Sequence, residues 1–472
     1  MIKFLRLLDK EDIEYVSWKN NHEIFECLKG KGDLDILVGS SSEVRFRILA
    51  QEGGWLELKN PVAQFRSVSH FYRISEAGVV FHLHVYFDVV TGESWLKEFI
   101  LPLKEFLISK RIMCPEYKIW VLDNKAQAYI FLIRHFLKSG SFTSRFLYWR
   151  EIDSYRTEWL LCETSPEDLR GFGPIALDPY IAGSGIGDEF KVPRLLDSIR
   201  FRLAIFKYCR FTLFSLPILR LKSFSMRALN KVLFKEKKKF LGRGMIIAIS
   251  GADGAGKSSM ITGLNKSFST FQSCYVYTLG KPQGSVVEFI RTLVMTNDRS
   301  INLEKSKAFK ETGLKKAFAS VVLGFLRLRK AKMARAIADK GNLVLVDRWP
   351  TNKFGKMDSP KILSDISSSW LLKLMAQIEK GTYEKIPRAD LCFYLKVSID
   401  TAVSRNESRV KIGKETKSEI ETRHIDNKDV VPLSNKIIEF QNEGPFNEKL
   451  FELHSIIWQE MIAFKSKENR FN

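Results

Sequence analysis

The sequence predicts an α/β chain in two parts: a parallel sheet with flanking helices in the C-terminal half, preceded by a smaller α+β domain. Three observations carry that prediction. Met245 to Ile249 is a short apolar run rich in β-branched residues, as buried parallel strands are, and a glycine-rich turn follows it. Two further apolar runs follow, at 343–346, which ends in Asp347-Arg348, and at 391–397, which is announced by Pro387-Arg-Ala-Asp390. Gly32-Asp33-Leu34-Asp35-Ile36-Leu37-Val38 reads as a strand with two carboxylates at period two, well separated from the others.

The chain has 472 residues, more than a single hydrophobic core usually spans, and 45% of them are apolar. Two domains and a connector are therefore expected, at 1–195, 196–243 and 244–472. The 75 basic residues outnumber 54 acidic ones, for a net charge of +21. Such a balance points to an anionic partner. The six cysteines show no C-x-x-C pair and read as reduced thiols of a cytoplasmic protein. The first ten residues lack the apolar core of a signal peptide, and no run of about eighteen uncharged apolar residues occurs.

Taken in order, 13–18 reads as a strand, and 33–38 as a second on which Asp33 and Asp35 share a face and could hold one divalent cation between them. A later strand at 79–88 offers His82 and His84 on one face, and a metal site of Asp33, Asp35 and His84 competes with a half-buried sheet face. Residues 120–137 carry apolar side chains at helical spacing and end in Gly140. The stretch 163–190, rich in Gly, Pro, Ser and Asp, reads as loops.

From 196 to 243, Phe201, Leu203, Phe206, Phe211 and Phe214 alternate at helical period with Arg200, Arg202, Lys207 and Arg210, and Pro217 is expected to break or kink any single helix. This basic helical connector has three readings: a solvated linker, a segment lying on an anionic membrane surface at the inner face, or a nucleic-acid or partner-binding arm. The sequence contains no base-reading module, which argues against nucleic acid.

Gly251-x-x-x-x-Gly256-Lys257-Ser258 fits the phosphate-binding P-loop, so the C-terminal half reads as a P-loop NTPase-type sheet. Gly251, Ala252, Asp253, Gly254, Ala255, Gly256, Lys257, Ser258 and Ser259 are expected to cradle ATP. Glycine lets successive N–H groups converge on phosphate oxygens, and the helix opening near Lys257 adds its positive end. Lys257 is expected to bridge the terminal phosphates and Ser258 to ligate Mg²⁺. Asp347, at the C-terminal end of a buried strand, is expected to hold Mg²⁺ or its waters, with Arg348 reaching the transferring group. After the 391–397 strand, Arg405 and Arg409 lie one turn apart, with Lys411 and Lys414 beyond, as in a lid that closes over ATP.

Two resemblances add to these readings. The paired aspartates of 33–35 are similar to the metal-binding element of the nucleotidyltransferase superfamily. That superfamily has a Gly-Ser or Gly-Gly turn where this chain reads Trp18-Lys-Asn-Asn-His22, and a third carboxylate on a later strand. The succession Ser250-Gly-Ala-Asp-Gly-Ala-Gly-Lys-Ser258, Asp347-Arg348 and Pro387-Arg-Ala-Asp-Leu-Cys-Phe-Tyr-Leu395 resembles the thymidylate kinase family over about 244–465. The resemblance implies that Asp253 faces the acceptor sugar hydroxyl, that Asp347 and Arg348 position phosphates, and that Arg405 and Arg409 act on ATP from the lid. Ala255 fits the members that draw an arginine from the lid. The family's Arg-Glu-Pro is here Gly280-Lys281-Pro282, and Arg327 and Arg329 compete as the acceptor-side arginine. After Asp347-Arg348 the family's aromatic, base-binding pattern gives way to 350–360.

The expected function is thus ATP- and Mg²⁺-dependent phosphoryl transfer to dTMP or a related small acceptor. The alternatives are a sugar or glycolipid acceptor, and an ATP-binding regulatory protein without transfer. A homodimer is compatible with all three.

Overall fold

The computed structural model describes residues 1–75, 77–93, 96–140, 145, 149–186, 190–280, 313–362, 369–407, 417–418, 421–422 and 430–470. By its internal contacts the chain forms two compact units, Met1–Glu236 with Ser455–Asn472, and Lys237–His454.

In the first unit, described strands form a mixed sheet in the order Leu56–Lys59, Val68–Ile74, Val80–Tyr86, Asp33–Val38, Tyr15–Ser17, Trp120–Leu122, Arg111–Met113. The Asp33–Val38 strand runs parallel to Val80–Tyr86, in a register that sets Asp33 beside His82 and Asp35 beside His84. One face is covered by Phe4, Leu5, Leu8, Phe46 and Leu49, from helices Ile2–Lys10 and Glu43–Glu52, packed with Ile36, Phe71 and Leu83. A second core gathers around the helix Asn124–Ser139, whose Ala126, Tyr129, Ile130, Ile133 and Phe136 are buried.

The helix expected over 120–137 begins later than its apolar spacing suggested. Trp120–Leu122 is an extended strand, and Asp123 caps the helix by accepting a 2.7 Å bond from the Ala126 N–H. The loop stretch 163–190 holds short 3-10 turns at Glu167–Leu169 and Asp178–Gly183. Residues 196–236 pack with the first unit. Their helix Ser215–Leu229 is not broken by Pro217. The proline is the third residue of the helix, within the first turn, where no intrahelical bond needs its missing N–H.

The second unit is a parallel sheet, in the order Cys274–Thr278, Leu343–Asp347, Met245–Gly251, Leu391–Lys396, Ile437–Gln441. Met245–Gly251 lies at its centre and is buried throughout, as its near-continuous apolar sequence requires. Helices Lys257–Phe268, Leu314–Asp339 and Trp370–Glu384 flank the sheet, and Ala331, Ala334 and Ala338 of the second pack on Ile246, Val344 and Val346. The parallel register places Gly251, Asp347 and Lys396 at one end, the edge where open α/β sheets bind ligands.

Candidate active site

The glycine-rich turn leaves the central strand as a tight loop. Gly251 has φ +146° and Gly256 φ +84°, and a side chain at Gly256 would meet the Asn442 amide at 2.7 Å. Gly256 caps the helix Lys257–Phe268 in the left-handed region, and no side chain caps that end. The first-turn amides and the helix dipole therefore face the loop's concavity, a fitted setting for an anion.

Lys257 is buried, and its ammonium donates to the Ala252 carbonyl at 2.7 Å and lies 3.8 Å from Asp253. Burial and the nearby Arg348 push its pKa down to about 8 against the pull of Asp253, Asp347 and Asp358. The Asp347 carboxyl is raised by burial, with Asp358 adding to the shift and Lys257 and Arg348 opposing it. Its Oδ1 is buried and makes no hydrogen bond among the described residues. An orphaned, desolvated carboxylate oxygen beside a glycine-rich turn and an uncapped helix start suits a hard cation that takes few protein ligands.

Arg348 follows the strand with φ +66°, a strained backbone for a residue with a Cβ, held by its N–H donating to the Ile249 carbonyl at 2.9 Å. That turn sends its guanidinium back over the loop, where it donates to Asp253 at 2.5 Å and lies 3.6 Å from Asp358. Asp358 also accepts from Arg327 at 2.7 Å. Arg327 is buried and donates to the Leu279 and Gly280 carbonyls and to the Tyr383 hydroxyl, whereas Arg329 is exposed. Of the two arginines open to choice from sequence, only Arg327 thus reaches the network. Lys257, Asp253, Arg348, Asp358 and Arg327 alternate in charge across the mouth of the turn.

On the other flank, Arg405 in the helix Ile399–Glu407 donates to the Asn442 carbonyl at 2.9 Å, and the Asn442 amide donates to the Ala255 carbonyl at 2.7 Å. Arg409, Lys411, Lys414, Lys281 and Pro282 lie outside the described residues. Sequence reasoning passed over Asn442 and Asp358. The first directly follows the strand Ile437–Gln441, whose short, partly polar sequence gives a weak strand signal. Asp358 lies eleven residues beyond the strand-ending Asp347, in a segment without periodicity.

A separate cluster lies in the first unit. Asp35 is buried, and its Oδ1 is 2.9 Å from both the Lys19 ammonium and His84 Nδ1, while Asn20 donates to Oδ2 at 2.9 Å. His84 Nδ1 also lies 3.2 Å from Asp33. Asp33, Asp35 and His84 are close enough to share a metal ion. Burial alone would raise the Asp35 carboxyl, but Lys19 and His84 hold it well below its ordinary range. Lys19 also donates to the Tyr86 hydroxyl at 2.9 Å. These groups line a cavity of about 290 Å³, with Arg134, Lys138 and Lys97 on its walls. Burial, with Arg134 and Lys19 nearby, lowers Lys138 to about 7. Lys19 and Asn20 stand in the Trp18-to-His22 segment where the superfamily's small-residue turn was expected.

No protein-family profile matches the chain. It is 27% identical over 222 residues to the "Uncharacterized ATP-binding protein YghR" of Escherichia coli K12, covering 43% of this chain and 83% of that protein. The same protein of Escherichia coli O6:H1 CFT073 matches equally. Among solved structures, thymidylate kinase from Candida albicans aligns with a TM-score of 0.29 and 13% identity, over 47% of this chain and 94% of that one.

Proposed function

We propose that the second unit binds ATP with Mg²⁺ and transfers the γ-phosphoryl group to dTMP or a related small acceptor, as an enzyme of thymidylate-kinase-like type. The observation that supports it most is the convergence of a buried Lys257, an orphaned Asp347 oxygen and a strained Arg348 on one uncapped helix end. The matching YghR proteins are described as ATP-binding.

The reaction forms a bond between an acceptor oxygen and the γ-phosphorus while the bond to the β,γ-bridging oxygen breaks and ADP leaves. Phosphoryl transfer demands mostly positioning and charge neutralisation. The loop amides and Lys257 orient the polyphosphate, and Arg348, freed from Asp253, neutralises charge on the transferred group. Arg405 braces Asn442 and, through it, the loop; with Arg409 it would also serve ATP from the lid. Ser258 and Asp347 are the residues that would hold Mg²⁺, which screens phosphate charge when bound. Asp253, now paired with Arg348, would turn to the sugar hydroxyl of the acceptor.

The test is ADP release by the purified protein across dTMP, other nucleotides and sugars, with Lys257→Ala as the control. Removing one preorganised donor costs about 3–4 kcal/mol of transition-state stabilisation, so turnover is expected to fall by about two to three orders of magnitude. Undiminished turnover in the variant refutes the assignment. ADP release driven by a sugar rather than dTMP moves the acceptor to the sugar class, and tight ATP binding without release favours a regulatory protein.

We further infer that the first unit is a nucleotidyltransferase-like domain, with Asp33 and Asp35 as its metal-binding pair. A divalent ion between them would displace Lys19 from Asp35. Lys19→Met is therefore expected to strengthen Mn²⁺ binding and Asp33→Asn to weaken it, measured by titration calorimetry in a Lys257→Ala background. Binding that responds to neither change places the ion elsewhere.

A further inference from the structure

The helix Ser215–Leu229 and the helical turn Asn230–Phe234 after it have two unlike sides. On the inner side, Leu216 is buried, and Arg220 lies 2.9 Å from Glu93 and 3.2 Å from Glu98, which ties the helix to the first unit. The outer side carries Phe214, Ile218, Leu221, Leu229 and Val232, which are 89%, 69%, 67%, 44% and 70% exposed. At about 100° per residue Phe214, Ile218, Leu221 and Leu229 fall within an arc of about 80°, and Val232 follows in the wider helical turn after them. Exposed Lys222 lies about 20° beyond one edge of that arc, and exposed Lys231 stands beside Val232 in the turn that follows.

We propose that this face docks the protein on an anionic lipid surface, with the helix lying in the plane of the headgroups. The apolar stripe enters the acyl boundary, and these lysines reach the lipid phosphates while their stems stay in the apolar layer. From Arg210 to Lys235 the sequence contains six basic residues and no acidic one. Charge selects lipid over other occupants. A second copy of this chain would bring two cationic stripes together, which like-charge repulsion opposes. Nucleic acid would satisfy the lysines and leave the large side chains in water. No helix among the described residues is long and apolar enough to cross a membrane, so the contact is peripheral. This inference is independent of the phosphotransfer reading.

The experiment is co-sedimentation of the full-length protein with phosphatidylcholine vesicles, with or without phosphatidylglycerol, at low and high salt. The protein is expected to bind the phosphatidylglycerol vesicles, to be released by salt, and to ignore neutral vesicles. Leu221→Glu is expected to weaken binding by at least about tenfold, since it removes one inserted side chain and adds a repelled charge. Lys222→Gln with Lys231→Gln is expected to weaken binding and flatten its salt dependence. Thermal melting and gel filtration of each variant identify loss of fold, and Ile218→Gln serves as a milder second probe of the stripe. The proposal fails if the folded wild type does not bind phosphatidylglycerol vesicles at low salt. It also fails if Leu221→Glu and Ile218→Gln bind as wild type does, or if the wild type is a dimer that these variants dissociate.

Discussion

Lys257 is a buried ammonium whose pKa has fallen to about 8 from 10.5, chiefly by burial. Between those values the unfolded chain binds more protons than the folded one, so this group's contribution to stability rises as pH climbs from about 8 to 10.5. A bound polyphosphate would restore the ammonium, so nucleotide binding near pH 8 to 9 is expected to take up a fraction of a proton. Calorimetry in two buffers of different ionisation heat measures that uptake, and Lys257→Met should abolish it. Asp347 carries the opposite burden. Its raised carboxyl makes the charged form costly in the folded protein, so Asp347→Asn is expected to hold or raise the melting temperature while turnover falls about a hundredfold. Arg348 offers a cleaner comparison. Arg348→Gly and Arg348→Ala lose the same guanidinium, yet glycine accepts φ +66° without strain, and the glycine variant is expected to be about 1 kcal/mol more stable in urea titration. The glycine-rich turn between the central strand and the helix Lys257–Phe268 was legible because its spacing is local. Arg327 was not separable from Arg329, because what distinguishes them is contact with Gly280, Asp358 and Tyr383, all distant in sequence.

The elements were legible where periodicity and punctuation agreed. The three apolar runs of the C-terminal half became adjacent parallel strands, since a run without polar residues is stable only when both faces are covered. The helix at Asn124–Ser139 was also foreseen, but its start was hidden because Trp120, Val121 and Leu122 suit a strand as well as a helix. Asp123 decides the boundary, and Asp123→Ala is expected to cost about 1 kcal/mol in thermal or urea unfolding, with little effect on nucleotide turnover. Pro217 misled for a related reason: its cost depends on its position in the helix, and within the first turn that cost vanishes. Asp33, Asp35 and His84 were legible as a candidate set from their period-two spacing, but the pairing that sets Asp35 beside His84 was not, because parallel pairing joins strands about fifty residues apart.

At the scale of the molecule, the helix Phe446–Arg470 carries the chain from the second unit back to the first, which it completes with 455–472. There Trp458 is buried and donates its indole N–H to the Gly54 carbonyl at 3.0 Å, and Gln51 meets Ser466. Truncation before Ser455 is therefore expected to lower the melting temperature of the first unit and leave ATP affinity within about twofold, read by calorimetry and nucleotide titration. This return of the chain has a consequence for biogenesis. The segment that meets Gly54 leaves the ribosome only after the whole of the second unit, so the unit translated first waits for a segment it needs. Until then its unfinished surface is offered to chaperones, and the intervening unit has the opportunity to fold ahead of it.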